Sequence, residues 1–375
     1  MGCLFSAEAI VAAKILNATL SRKDVIMLQA GFSGSGRDTI FKQLKIIHGG
    51  GFSSDEIKDY RPYIYQNAIY SLEEILKAMP ELGISFVNKE LEIDAKMVMD
   101  ARPWGMKSFS EELVAPMKRL WIDLGVQECF ALRSNEYKLK YSVKYFLENL
   151  DRLAAKDYKP TGQDILRTQT LKCFDSVNVS LKSLDVILFK CRHRCGGAPL
   201  SREAYFKNAT TMIYCVNMSE YDNNELNHGD GCKNAMHEDL EYFDIYCNAF
   251  RNISSIVLLL NKKDIFQEKI KKTPLTICFP EYTGAQEYEE AAAYIQAQFE
   301  AKNKLTYKKI YCYKTCGIDT ADIQFVFDAV ADVIIANNPK SLPPEQFNGF
   351  RAFGFYKLGF SRSNKKMEWN KTNNP

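Results

Sequence analysis

Val25-Ile26-Met27-Leu28-Gln29-Ala30-Gly31-Phe32-Ser33-Gly34-Ser35-Gly36-Arg37-Asp38-Thr39 is the stretch on which the fold turns. Val25 to Leu28 is an apolar run of strand length, and Gly31 to Gly36 is a glycine-rich turn. Beyond it, Ile40, Leu44 and Ile47 recur at helical spacing, with Lys42 and Lys45 on the outer side. Strand, glycine turn, helix is the context that gives G-x-x-x-x-G-K-[ST] its chemistry. Glycines let successive backbone N–H groups converge on phosphate oxygens, and the helix start adds positive potential. Gly31 and Gly36 keep the spacing, which makes Gly34, Ser35, Gly36, Arg37, Asp38 and Thr39 the candidate phosphate contacts.

Two chemical positions of that pattern differ. Arg37 stands for the lysine; it keeps the charge but is wider and planar. Asp38 stands for the hydroxyl that normally ligates Mg²⁺. A carboxylate can hold the metal, but it also sits beside the phosphates. At ~4 Å and an effective dielectric of ~20, two like charges repel by roughly 4 kcal/mol. That is on the order of a thousandfold in affinity. Pairing with Arg37 would silence Asp38, but adjacent side chains at a helix start diverge. The expectation is a carboxylate that repels phosphate. Standing alone, the loop reads rather as a glycine turn with no ligand.

Downstream, Ser255 to Leu260 reads as a buried strand that delivers Asn261-Lys262-Lys263-Asp264-Ile265 at its C-terminal end. Open α/β sheets bind ligands at that end. In N-K-x-D chemistry the Asp carboxylate accepts from guanine N1–H and the exocyclic amine, a donor pair adenine lacks. The Lys stem covers the ring, and the Asn ties the loop down. Another strand-like run, Lys309 to Tyr313, is followed by Thr315-Cys316-Gly317, a small-residue turn able to offer N–H groups to the guanine carbonyl.

The rest of the chain bounds the possibilities. Its 375 residues are 46% hydrophobic and 25% charged, an ordinary globular mix sized for two or three domains. The longest apolar runs fall far short of the ~20 residues that span a bilayer. From Pro339 to Pro375, seven basic residues against two acidic ones give +5, leaving −2 on the remainder of a chain whose net charge is +3. A nearly neutral body argues against a nucleic-acid partner. With no secretory signal, the 11 cysteines read as free thiols. Met1-Gly2-Cys3-Leu4-Phe5-Ser6 fits the myristoylation pattern on Gly2, with Cys3 a neighbouring palmitoylation site. Two acyl chains anchor firmly where one does not. Ala7 to Leu20 has the spacing of one amphipathic helix.

Longer stretches resemble one family. Thr39 to His48, Met236-His237-Glu238, Thr273 to Cys278, Pro280-Glu281-Tyr282, Tyr288 to Ile295 and Gln324 to Val330 are similar to heterotrimeric G-protein alpha subunits of the inhibitory class. The resemblance runs from Met1 to about Asn338. It implies an α/β fold: a Ras-like domain with a mostly parallel six-stranded sheet flanked by helices, and an inserted all-helical domain. The implied division is 1–23 as acylated N-terminal helix, 24–50 and 162–338 as guanine-nucleotide-binding domain, 51–161 as helical insert, and 339–375 as basic, aromatic extension. It implies GTP and GDP as ligands, with Leu166, Arg167, Thr168 and Gln169 beside them and Ser142 reaching in from the helical domain. It implies Mg²⁺, a beta-gamma dimer, a G-protein-coupled receptor and a lipid-anchored place at the cytoplasmic face of the plasma membrane.

The departures fall on the catalytic parts. The family's L-R-x-R-V-x-T is here Leu166-Arg167-Thr168-Gln169-Thr170-Leu171-Lys172. The arginine position is therefore Gln169, and the Mg²⁺-binding threonine position is Lys172. The D-V-G-G-Q segment after Asp185 to Phe189 admits two registers. Without a gap, the Asp and Gln positions are Lys190 and Arg194; aligned on Gly196-Gly197, they are Arg194 and Ala198. Hydrolysis depends on charge stabilisation and a positioned water, so slow or absent GTPase activity is expected. The segment before the phosphate loop is shorter than the family's, which weakens the expectation of a beta-gamma contact. The altered C-terminus does the same for the receptor. Two other readings stand beside the transducer: a catalytically dead scaffold without a nucleotide cycle, and altered stretches arising from gene misprediction. Cys191-x-His193-x-Cys195 lacks a second ligand pair for zinc.

Overall fold

The computed structural model describes residues 25–103, 105–132, 142–170, 174–182, 184–191, 209–227 and 231–336. The apolar run at the start becomes β1 (Val25–Gly31), which lies between β3 (Leu184–Cys191) and β4 (Thr211–Asn217). The sheet continues to β7 (Ser255–Asn261) and β8 (Lys309–Thr315) on one side and to β2 (Phe174–Leu181) on the other. All neighbours run parallel except β2, which is antiparallel to β3. The order is β2-β3-β1-β4-β7-β8. Every residue of β1, β4 and β7 is buried, the pattern of parallel strands covered on both faces.

Helices supply that cover. On one face, α9 (Ala235–Ala249) and α11 (Tyr288–Glu300) contribute Phe243 and Phe299 to a core with Tyr214 and Leu258. On the other, α1 (Arg37–His48) and α12 (Thr320–Ala336) bring Ile40, Leu44, Phe327 and Val330 against Met27, Leu188 and Val257. The helical spacing of Ile40 and Leu44 thus marks the face that meets the sheet. A short helix, α10 (Lys263–Ile270), follows β7.

Between α1 and β2 the described residues contain helices and no strands: α2 (Ser54–Glu81), α3 (Leu91–Met99), α4 (Glu111–Ile122), α5 (Leu124–Ala131), α6 (Val143–Glu148), α7 (Leu150–Ala154) and α8 (Gly162–Arg167). The long α2 starts at a capping box: Ser53 accepts from Glu56 N–H, and Glu56 accepts from Ser53 N–H. Helices α2 to α7 share a core of their own, which includes Ile69, Leu72, Met117, Phe146 and Leu150. One element was not expected. Asn224–Asn227 and Gly231–Asn234 pair as an antiparallel ribbon, β5 and β6. Its Asn- and Gly-rich sequence has no alternating apolar face, so the period that marks strands is missing. The N-terminal helix expectation and the extension 339–375 lie outside the described residues.

Candidate functional site at the C-terminal end of the sheet

The phosphate loop leaves β1 at the sheet centre. Gly34 (φ +82°) and Gly36 (φ +85°) are left-handed, and Gly36 caps α1. Ser35 N–H donates to Phe32 O at 3.3 Å, and Ile40 N–H to Gly36 O at 3.0 Å. A Cβ on Gly31 would collide with the Cys215 carbonyl of β4, and one on Gly36 with the Asn261 amide. The glycine spacing is therefore a packing requirement as well as a turn requirement. Ser35 Oγ is buried, with no hydrogen-bond partner among the described residues.

Asn261 ends β7 and joins three segments. Its Nδ2 donates to Ser35 O at 2.8 Å, while its Oδ1 accepts from Gly317 N–H at 2.9 Å and from Thr315 Oγ1 at 3.2 Å. Gln43 of α1 holds the same turn, donating to Gly317 O at 3.0 Å. Lys262 takes a left-handed conformation (φ +61°), which turns the chain sharply into α10. Asp264 is exposed in the first turn of α10, and Ile265 beside it is half-buried. The Cys316 thiol, pushed up to about 11 by burial first and Asp264 second, bonds that carboxylate. Lys263 pairs with Asp322 at 2.6 Å, and Asp322 also accepts from Cys316 N–H at 2.6 Å.

The expectation of a free, repelling Asp38 is corrected. Lys190, at the end of β3, pairs with Asp38 at 2.9 Å. The register sets Lys190 beside Gln29 of β1 and Asp175 of β2, so its side chain reaches the first turn of α1. Burial alone would raise the Asp38 carboxyl; Lys190, with Lys42 and Arg37 behind it, outweighs that and holds it below the ordinary carboxylate value. Lys42 is spoken for elsewhere. Its ammonium donates to Ile165 O at 2.9 Å and to Thr168 O, and burial pushes its pKa down to about 7.

The profile of the G-protein alpha subunit family matches residues 9–334. The chain is 55% identical to the guanine nucleotide-binding protein G(o) subunit alpha of Locusta migratoria, over 90% of this chain and 98% of the relative. The proteins of the same name from Planorbella trivolvis and Caenorhabditis elegans are 53% and 50% identical over the same shares. The chain belongs to the G-protein alpha subunit family. Its likeness within that family is to the inhibitory and G(o) class.

In this alpha subunit the segment returning from the helical part to the sheet runs beside the phosphate loop. Thr39 Oγ1 donates to the carbonyl of buried Leu166 at 3.1 Å. Arg167 bonds Gln163 and lies 4.6 Å from the Tyr145 ring centroid. Thr168 is buried and donates to Asp164 O at 2.6 Å. Gln169 is exposed; Asn67 of α2 accepts its N–H and donates to its carbonyl, both at 3.1 Å. The Gln169 backbone is thus held by α2. Ser142 opens α6, its carbonyl accepting Phe146 N–H at 3.2 Å. Lys172, Arg194, Ala198, Gly2 and Cys3 lie outside the described residues.

Several residues around the alpha subunit's loop carried no signal in the sequence. Asp239 of α9 is buried beneath it, accepting from Tyr214 Oη at 2.7 Å and from Phe32 N–H. Burial pushes its carboxyl up to about 7, with Glu220 adding to the rise and Arg37 opposing it. Phe32 also stacks on Tyr242 of α9 at 5.2 Å, a second tie between the loop and that helix. Asp164 of α8 is the second hub. It receives Arg152, Tyr145, Tyr158 and Thr161 N–H at 2.7 to 3.0 Å. Against burial, Arg152 and these donors bring its pKa down to about 2. A helical period would have separated buried Asp239 from Glu238, but nothing local names the partner either one meets.

Proposed function

We propose that this alpha subunit binds GDP and GTP and acts as a transducer in G-protein-coupled receptor signalling, with hydrolysis slowed or lost. The observation that carries the reading is Asn261. One amide holds both the phosphate loop, through Ser35, and the Gly317 turn, with the Asp264 carboxylate exposed at the same end of the sheet. A scaffold without nucleotide has no need of that geometry. In this reading Gly34 to Thr39 cradle phosphates and Asp264 with Lys262 reads guanine. Residues 24–50 and 162–338 form the nucleotide domain, and 51–161 the helical insert.

The donor set does not fit Mg²⁺: the first-turn position that would ligate it is an aspartate already paired with an ammonium. Gln169 at the arginine position lacks the charge that stabilises phosphoryl transfer. Acylation at Gly2 and Cys3 would hold the protein at the cytoplasmic face of the plasma membrane, where a receptor and a beta-gamma dimer meet it.

If the reading holds, GDP raises the melting temperature and ADP does not, with guanine preferred by at least ~100-fold. Equal shifts for both would sink it. Single-turnover GTP hydrolysis falls well below ~10⁻² s⁻¹, the known benchmark for alpha subunits that keep their arginine. Gln169→Arg alone recovers little, because residues that act as a unit are not restored singly. A normal rate in the unmodified protein would refute the loss of catalysis.

A further inference from the structure

In phosphate-loop NTPases the loop hydroxyl and an aspartate beyond a neighbouring strand hold Mg²⁺, which neutralises charge on the β- and γ-phosphates. Here the loop position is Asp38, and Lys190 is the penultimate residue of β3, the strand beside β1. Their side chains meet at 2.9 Å in the first turn of α1. Lys190 is 3% exposed, and its ammonium lies 4.8 Å from the Phe41 ring centroid. The Asp38 side chain is 23% exposed, so the ammonium is the enclosed member of the pair. The second nearby lysine, Lys42, is bound to the carbonyls of Ile165 and Thr168 and is not free to exchange with it.

We infer that the Lys190 ammonium, fixed by Asp38, takes the place of the divalent cation, so that this protein binds guanine nucleotide without Mg²⁺. The inference rests on the nucleotide-binding reading above. Mg²⁺ demands a near-octahedral oxygen shell and gives up its waters reluctantly. The carboxylate it would need already faces an ammonium, and a second cation there is repelled by the first. Charge supports the same conclusion from the ligand's side. Asp38 and Lys190 together are neutral, whereas a lone Asp38 would set a negative charge against phosphate. The lysine thus cancels the repulsion that the sequence alone predicts. It adds no surplus positive charge, so a third phosphate strengthens binding less than it would beside a metal.

The test is titration of the full chain with fluorescent GDP and with GTPγS, each in EDTA and in millimolar Mg²⁺. GTPγS affinity is expected to agree within about twofold between the two buffers. In the double variant Asp38→Ser, Lys190→Asp, which rebuilds a hydroxyl and carboxylate donor set, Mg²⁺ tightens GTPγS by about tenfold or more. Tightening of that size in the unmodified protein overturns the proposal. So does a folded double variant as indifferent to Mg²⁺ as its parent, because the pair would then not stand at the metal's place. Should the double variant not fold, the comparison of buffers on the unmodified chain decides alone. GDP in EDTA separates the two failures. GDP bound there with GTPγS dependent on Mg²⁺ rejects the metal substitution only, while neither nucleotide bound in either buffer rejects the nucleotide site and the substitution with it.

Discussion

Asp239 shows how one buried side chain can set the behaviour of the loop above it. Its carboxyl accepts from Tyr214 Oη and Phe32 N–H, yet burial still pushes it up to about 7. A carboxyl whose folded-state pKa lies above its unfolded value of 3.8 gives stability that is fully present below that value. That stability is lost as pH rises through about 7. Asp239→Asn keeps an acceptor for Tyr214 and cannot ionise. The variant should be more stable than the parent above neutrality, by about 1 to 3 kcal/mol, with the gap closing towards about pH 4. Urea unfolding across that range checks it; a pH-independent difference would mean Asp239 is already satisfied as a carboxylate. Asp164 has the opposite sign. Its contribution is present above 3.8 and is lost as pH falls through about 2. The sequence did not disclose either role. Asp239 and Glu238 are adjacent acids, and only the packing of α9 on β4 puts one of them against Tyr214.

At the scale of elements, the site depends on two turns being held together. Gly36 is left-handed, and any Cβ there meets the Asn261 amide. A left-handed alanine costs roughly 1 to 2 kcal/mol before the collision is counted. Gly36→Ala should therefore destabilise the protein by about 2 to 4 kcal/mol and abolish the thermal shift with GDP. Asn261→Ala leaves the backbone of the turn unstrained but removes the bridge between Ser35 and Gly317. It should cost about 1 to 3 kcal/mol and weaken GDP by about tenfold or more. A calorimetric titration in which Asn261→Ala binds GDP at the parent's affinity would show that the bridge is not needed to form the site. These elements were legible because each carries a local signature. Val25 to Leu28, Asp185 to Phe189 and Ser255 to Leu260 are apolar runs, and all three are strands of one sheet. The ribbon at Asn224–Asn234 has no such run and went unread.

For the whole molecule, helices α2 to α7 pack around a core that shares no residue with the two cores on the sheet. Leu72 is fully buried in it. Leu72→Ala should cost about 2 to 5 kcal/mol. If residues 51–161 fold as a unit of their own, amide exchange will rise throughout α2 to α7 and stay unchanged in β1, β4 and β7. Uniform loss of protection across both parts would instead show one cooperative unit. The join between the parts is polar and specific: Arg152 of α7 on Asp164 of α8, and Asn67 of α2 on the Gln169 backbone. Neither pairing has a spacing signature, since each joins residues of different elements.

The amino-acid sequence by itself showed the strands β1, β3, β7 and β8, the glycine turn after β1 and the Asn261 to Asp264 turn after β7. All are written in consecutive residues, where period and glycine placement act over a few bonds. It also placed Asp38 and Gln169 where the family resemblance leads one to expect a hydroxyl and an arginine. What became of Asp38 was decided only by the tertiary structure. Its effect on phosphate depends on the nearest opposite charge, and Coulomb energy follows distance in space, whatever the separation along the chain. The sequence offered Arg37 next door. Strand pairing in the register Gln29 to Lys190 delivered a different cation, and so turned an expected repulsion into a neutral pair.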